Sequence, residues 1–180
     1  MKRKLLAAAI LTAAATGAIA QASTNKETGF YGEIGLAQAY YTEPLANFNH
    51  PLGMLKAGYN INKNVAVEIM AAGALTSSNF YVGSTYVEAK VSSAYGAYGK
   101  LSLPVEDKFS LFVRLGITNA TVSASTSYGS AWASGSDFSY GAGAQFNFTK
   151  DTYGQVDYMS YYNKNSIAVR APSISIGYKF

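Results

Sequence analysis

Residues 95–116 read YGAYGKLSLPVEDKFSLFVRLG, and the alternation inside this stretch decides the fold class. Pro104 to Lys108 is a polar, turn-like break between two runs of period two. After it, Phe109, Leu111, Val113, Leu115 and Ile117 share one face, while Ser110, Arg114 and Thr118 share the other. Successive side chains of a strand point to opposite sides, so such a run is a β-strand with two unlike faces. Two of them around a short turn make a hairpin.

Working outward, the same period recurs and predicts eight strands, near 29–41, 53–61, 65–74, 86–103, 109–119, 137–148, 153–162 and 171–180. Val65, Val67 and Ile69 oppose Glu68 in the third; Phe138, Tyr140, Phe146 and Phe148 oppose Gly141, Gly143, Gln145 and Asn147 in the sixth. Connections alternate in kind. Those at 62–64, 104–108 and 149–152 are tight and polar, and those near 42–52, 75–85, 120–136 and 163–170 are longer. Pro44, Pro51, Pro104 and Pro172 are expected in connections or at a strand edge, because proline cannot donate to a ladder.

The two faces differ in a way that fixes the solvent. A soluble barrel buries its bulky apolar side chains and shows charge outside. Here the bulky face carries Leu, Val, Ile, Phe and Tyr, while the other carries Gly, Ser, Ala and charges. Small and polar residues suit a narrow lumen, and bulky apolar ones suit lipid. Aromatics reach 14% with fifteen tyrosines, and charged residues only 13%, against about a quarter in soluble domains. The tyrosines are read as interfacial girdles.

The chain opens with Met1-Lys2-Arg3-Lys4, a basic segment, and an uncharged, mostly apolar run over 5–20. Ala18-Ile19-Ala20 and Ala20-Gln21-Ala22 both match a cleavage site. This is the layout of a secretory signal peptide over 1–22, cut after Ala20 or Ala22, with a barrel domain over 23–180. Its loss leaves eleven basic against ten acidic residues, so the basic balance is an export feature and no nucleic-acid partner is expected. An even strand count puts both mature termini on the periplasmic side and the long loops outside.

Parity along each strand sends Glu33, Lys56, Glu68, Lys100, Arg114, Gln145, Asp157 and Lys179 to the inner face. Opposite signs fall on consecutive strands: Glu33 with Lys56, Glu68 with Lys100, and Asp157 with Lys179, which can also meet Glu33 on closure. A barrel this narrow is filled by side chains, and charges there must be paired. A structural plug is preferred over an ion path.

Catalytic, cofactor and metal sites are not expected. The single His50 has no serine near it in sequence and reads as an exposed loop histidine, and there is no cysteine. The uncharged stretch NATVSASTSYGSAWASGS (119–136) carries Tyr128 and Trp132 as candidate contact residues at its tip. The preferred reading is a hairpin extended above the membrane and packed on Phe80 and Tyr81.

The order GFYGEIGLA, LKAGYNINKNVAVEI, YGAYGKLSLPVEDKFSLFVRLG and SISIGYKF resembles the small outer-membrane β-barrel proteins, the group of the OmpA transmembrane domain, OmpX-like and opacity-type proteins. The resemblance implies an all-β, eight-stranded antiparallel up-and-down barrel in a Gram-negative outer membrane, with lipid and lipopolysaccharide as surroundings. Ile174, Ile176, Tyr178 and the terminal Phe180 resemble the signal read by the outer-membrane assembly machinery. The expected role is non-enzymatic: structural, or binding a surface ligand through the loops. A narrow pore is the alternative, and a lipid-modifying enzyme stands third.

Overall fold

The computed structural model describes residues 28–43, 46–82, 85–126, 129–164 and 167–180. The signal segment over 1–22 and Tyr128 lie outside them. Among the described residues no helix occurs, and nine strands follow in order: β1 (Gly29–Glu43), β2 (Ala46–Asn60), β3 (Val65–Ala74), β4 (Ser78–Val82), β5 (Thr85–Pro104), β6 (Phe109–Thr126), β7 (Gly129–Asn147), β8 (Thr152–Lys164) and β9 (Ile167–Lys179). Apart from β3 and β4, neighbours in the chain pair antiparallel, β1 pairs β9, and β3 pairs β5, so the sheet closes on itself. The barrel has eight staves. β4 continues the line of β3 beyond residues 75–77 and also pairs with β5.

Following partners once round measures the stagger. From Phe30 the path runs through Tyr59, Val67, Gly99, Leu115, Tyr140, Ser160 and Arg170 back to Tyr40, ten residues higher on β1. With about 3.3 Å per residue and about 4.8 Å between strands, this stagger tilts the strands by about 40°.

Three tight turns close one end, each with its own chemistry. Asn62 Oδ1 accepts from the backbone N–H groups of Asn64 and Val65 at 2.8 and 2.9 Å, and Thr149 Oγ1 accepts from those of Asp151 and Thr152. Between β5 and β6, Val105 N–H donates to Phe109 O.

The opposite end corrects the expected long loops. Ladders run up to Glu43↔Ala46, Val82↔Thr85, Thr126↔Gly129 and Lys164↔Ile167, so those segments are mostly strand. The stretch 119–136 is the extended hairpin of β6 and β7. Whether it packs on Phe80 and Tyr81 lies outside the described side chains.

Two prolines are also corrected. Pro51 lies within β2 and Pro172 within β9, although a closed barrel has no edge. Each sits at a local break. A residue's N–H and C=O point to the same side of a strand, and Pro51 O accepts from Leu75 N where the β2–β3 ladder ends at Leu52↔Ala74. The β1–β9 ladder skips from Ala37↔Ser173 to Tyr40↔Arg170, opposite Pro172. The missing donors therefore fall where no ladder bond is drawn.

The outer face is apolar. Ile34, Leu36, Ile69, Leu115, Ile174 and Ile176 form an exposed middle band. Phe30, Tyr59, Phe146, Phe148, Tyr178 and Phe180 ring the turn end, with edge or tilted contacts between Phe30 and Tyr59, Phe146 and Phe148, and Tyr178 and Phe180. Tyr40, Tyr95, Phe138, Tyr140 and Tyr158 stand nearer the other end. Ten tilted residues between Phe30 and Tyr40 span about 25 Å, the height of a lipid-facing band.

Candidate functional site

The inner face holds two layers of side chains. In the layer nearer the turns, Arg114 is 1% exposed and acts as a hub. Its Nε and Nη2 meet the two carboxylate oxygens of Glu68 at 2.5 and 3.2 Å, its Nη1 meets Asp157 Oδ2 at 2.5 Å, and its Nη2 also donates to Gln155 Oε1 at 2.8 Å. Glu33 lies 3.6 Å from the same nitrogen. A guanidinium suits this place because its planar fork binds several acceptors at once.

The remaining groups complete the set. Lys56 Nζ bridges Glu33 at 3.3 Å and Asp157 at 3.1 Å, and Lys100 Nζ lies 3.8 Å from Glu68 and donates to Gln145 Oε1 at 3.2 Å. Tyr31 OH donates to Glu68, Tyr153 OH to Glu33, Ser173 Oγ to Asp157 and Ser175 Oγ to Glu33. Three carboxylates thus face three cations, and each of the six carboxylate oxygens accepts at least one donor. A buried charge set is tolerable only with such pairing and hydrogen bonding.

Glu33, Lys56, Glu68, Lys100, Arg114 and Asp157 are therefore brought together. Gln145 joins them through Lys100 and through Gln155 Nε2 at 2.9 Å. Lys179 stands nearer the mouth, where its Nζ donates to Asn147 Oδ1 at 3.2 Å and lies 5.4 Å from the centre of the Tyr153 ring. Asp157 is engaged by Lys56 and Arg114, and Glu33 by Lys56, Arg114 and Tyr153.

Several partners escaped the sequence reading. Tyr31, Tyr98, Tyr153 and Tyr161 are buried in the lumen, which corrects the assignment of all tyrosines to girdles. Parity carries the signal: Tyr31 lies two residues before Glu33, and Tyr153 and Gln155 share the face of Asp157. Phe112 is likewise inside, with Arg114 and Lys100 about equally close to its ring centre, at 4.5 and 4.6 Å. Glycines seat the two cluster tyrosines. A Cβ on Gly58 would lie 2.3 Å from Tyr31 Cζ, and one on Gly177 would lie 2.2 Å from Tyr153 Cζ. Gly177→Ala should displace the Tyr153 ring and its bond to Glu33, lowering unfolding stability by about 1–3 kcal/mol in a urea titration. Gly99→Ala, whose Cβ meets nothing nearer than Leu115 O at 4.0 Å, is the matched control and should be close to neutral.

The second layer lies towards the extended hairpins and is apolar. Leu52, Met54, Met70, Tyr98, Met159 and Tyr161 pack with Ala37, Ala39, Ala94 and Ala171. A void of about 20 Å³ remains among them, room for about one water molecule. His50 belongs near this end. It is buried and its Nε2 accepts from Val91 N–H at 3.1 Å, so it is not an exposed loop residue. At the turn end a vestibule of about 220 Å³ opens, lined by Tyr31, Asn62, Lys100, Gln145, Asn147 and Lys179 among others.

The family model for the outer membrane protein β-barrel domain matches residues 6–180. The chain belongs to this family. It is therefore an outer-membrane β-barrel protein, which accounts for an apolar exterior around a polar and filled interior. Solved barrels share its fold. Ail, the attachment invasion locus protein of Yersinia pestis, solved with the heparin analogue sucrose octasulfate, is 22% identical with a TM-score of 0.66, covering 86% of this chain and 99% of its own. Neisserial surface protein A is 15% identical with a TM-score of 0.65, covering 84% and 97%. The N-terminal barrel of Pseudomonas aeruginosa OprF is 12% identical with a TM-score of 0.60, covering 83% and 97%. A sequence search of curated proteins returns no match.

Proposed function

We propose that this protein is a closed, non-enzymatic outer-membrane barrel that acts at the cell surface through its extended hairpins. In this reading residues 1–22 direct export, both mature termini and the tight turns face the periplasm, and Phe180 with Ile174, Ile176 and Tyr178 engages the assembly machinery. The observation that carries it is the lumen, in which a charge-balanced layer around Arg114 and an apolar layer around Met54, Met70 and Met159 stand in series. An ion would have to displace the first and be stripped of water by the second. The fold-mate Ail, solved with a sulfated saccharide analogue, supports a surface-binding role.

The vestibule favours a second reading, a narrow pore entered from the periplasm. Planar-bilayer recording separates the two. The wild type should carry no steady current, and neutralising Arg114 and Glu68 together should leave it silent. Leak should appear only when Met54, Met70 and Met159 are also made alanine. Steady current through the wild type would sink the closed-barrel reading. Orientation is tested by S130C, which should react with a membrane-impermeant maleimide in intact cells; labelling only after lysis would reverse the topology. For the enzyme reading, His50 offers little, since its Nε2 is already engaged by Val91 N–H.

A further inference from the structure

Beyond the second aromatic ring, the outward face of the barrel changes chemistry in one step. On β6 the apolar Ile117 is followed on the same face by Asn119, Thr121, Ser123 and Ser125. On β7, running away from the membrane, Phe138 is followed by Ser136, Ser134, Trp132 and Ser130. The two rows stand opposite one another in the ladder. Asn119 Nδ2 donates to Ser136 Oγ at 2.8 Å, and hydroxyl pairs join Thr121 to Ser134 at 2.8 Å and Ser125 to Ser130 at 3.0 Å. Ser92 of β5 meets Ser123 at 2.6 Å. Trp132 stands in the middle of this hydroxyl surface with 76% of its area exposed.

Three features bear on what covers this face. The first is continuity: it extends the lipid-facing wall, so what surrounds the barrel laterally also lies against it. Trp132 is six residues beyond Phe138, about 15 Å above the aromatic ring on tilted strands. The second is charge. Residues 115–136 carry none, whereas strands standing free in water are normally guarded by charges. Charge enters at its borders, with Asp137 next on β7, Glu88 and Lys90 on β5 and Lys164 at the end of β8. The third is chemistry. Hydroxyls and an amide both donate and accept, which matches sugar hydroxyls, and an exposed indole offers a flat apolar face for a pyranose ring.

In the outer leaflet of an outer membrane, what stands above the acyl chains is lipopolysaccharide sugar. We infer that the outward face of the β6–β7 hairpin is a carbohydrate-contact surface for the core oligosaccharide of the surrounding lipopolysaccharide. This rests on the surface placement of the hairpin proposed above and names its partner. The uncharged rows select sugar hydroxyls over the leaflet's phosphates, and Trp132 supplies the stacking platform.

Trp132 is the single tryptophan of the chain, so tryptophan-selective fluorescence reports on this face alone. The folded protein is placed in nanodiscs of phospholipid, of lipopolysaccharide truncated to lipid A with its first acidic sugars, and of lipopolysaccharide with a complete core. Only the complete core should blue-shift the emission. Covering one face of the ring should also lower the acrylamide quenching constant roughly twofold. A variant carrying N119A, T121V and S134A but retaining Trp132 should lose that protection while keeping its heat-dependent gel shift; unaltered protection in the folded variant would overturn the assignment. If the variant fails to fold, the wild-type comparison decides alone. Identical emission and quenching in all three environments would overturn the inference, as would protection by soluble sulfated saccharide but not by the core. S130C labelling in intact cells alongside an indifferent Trp132 would reject this surface while leaving the hairpin's placement standing.

Discussion

Replacing Arg114 with alanine is expected to lower the unfolding free energy in detergent or liposomes by about 3–5 kcal/mol. The loss is not that of one ion pair. Glu68 gives up two charge-assisted bonds, Asp157 one, and Glu33 a cation 3.6 Å away. Among the described residues, Lys56 and Lys100 remain as the cations within 4 Å of these three buried carboxylates. Adding Glu68→Gln restores the balance of two against two, so the double variant should recover part of the loss. A double-mutant cycle measures that coupling, provided neither single change rearranges the barrel. Strictly additive losses would show that the cluster is not acting as a unit.

Arginine at the next position tests the other face of the same strand. Leu115 is exposed on the outer wall in the middle of the apolar band, one residue from the buried Arg114. Leu115→Arg should cost about 2–4 kcal/mol, because a lipid-facing cation near the bilayer midplane has no water to turn to. Ile117→Arg, nearer the aromatic ring at the hairpin end, should cost less, and Ser130→Arg at the hairpin tip should cost little. The series is read from denaturant unfolding in liposomes. Equal tolerance at all three positions would mean that the wall between the aromatic rings does not face lipid.

The inward placement of Glu33, Glu68, Arg114 and Asp157 can be reached by counting alternate residues, since a strand fixes which side each faces. What counting cannot supply is reach. Arg114 turned out to bond across the lumen to residues on non-neighbouring strands, and that depends on barrel diameter and stagger. Tyr31 and Tyr153 obey the same parity, but tyrosine's abundance on the outer rings hid their positions. The hairpin over 119–136 was hard to delimit for a different reason. Its Ser, Thr and Ala alternate without contrast in hydropathy, so the period of two leaves no mark. His50, Pro51 and Pro172 were misplaced because their settings are long-range: the His50 partner is Val91, and each proline sits opposite a ladder break set by another strand.

The bonds made by Arg114 also bear on the order of events during assembly. Glu33 lies on β1, on the far wall of the barrel from β6, and Glu68 and Asp157 each lie two staves away from it. None of these contacts can form within a single hairpin. The Glu68 and Asp157 bonds need three consecutive staves curled together, β3–β5–β6 and β6–β7–β8, and the Glu33 contact needs the sheet curled far enough to bring β1 across from β6. Contacts that form after the rate-limiting step of assembly slow escape without speeding entry, and those that need the most curling of the sheet form last. A cluster completed late in this way would act as a latch on a finished ring, lengthening the residence time of the folded protein in its membrane.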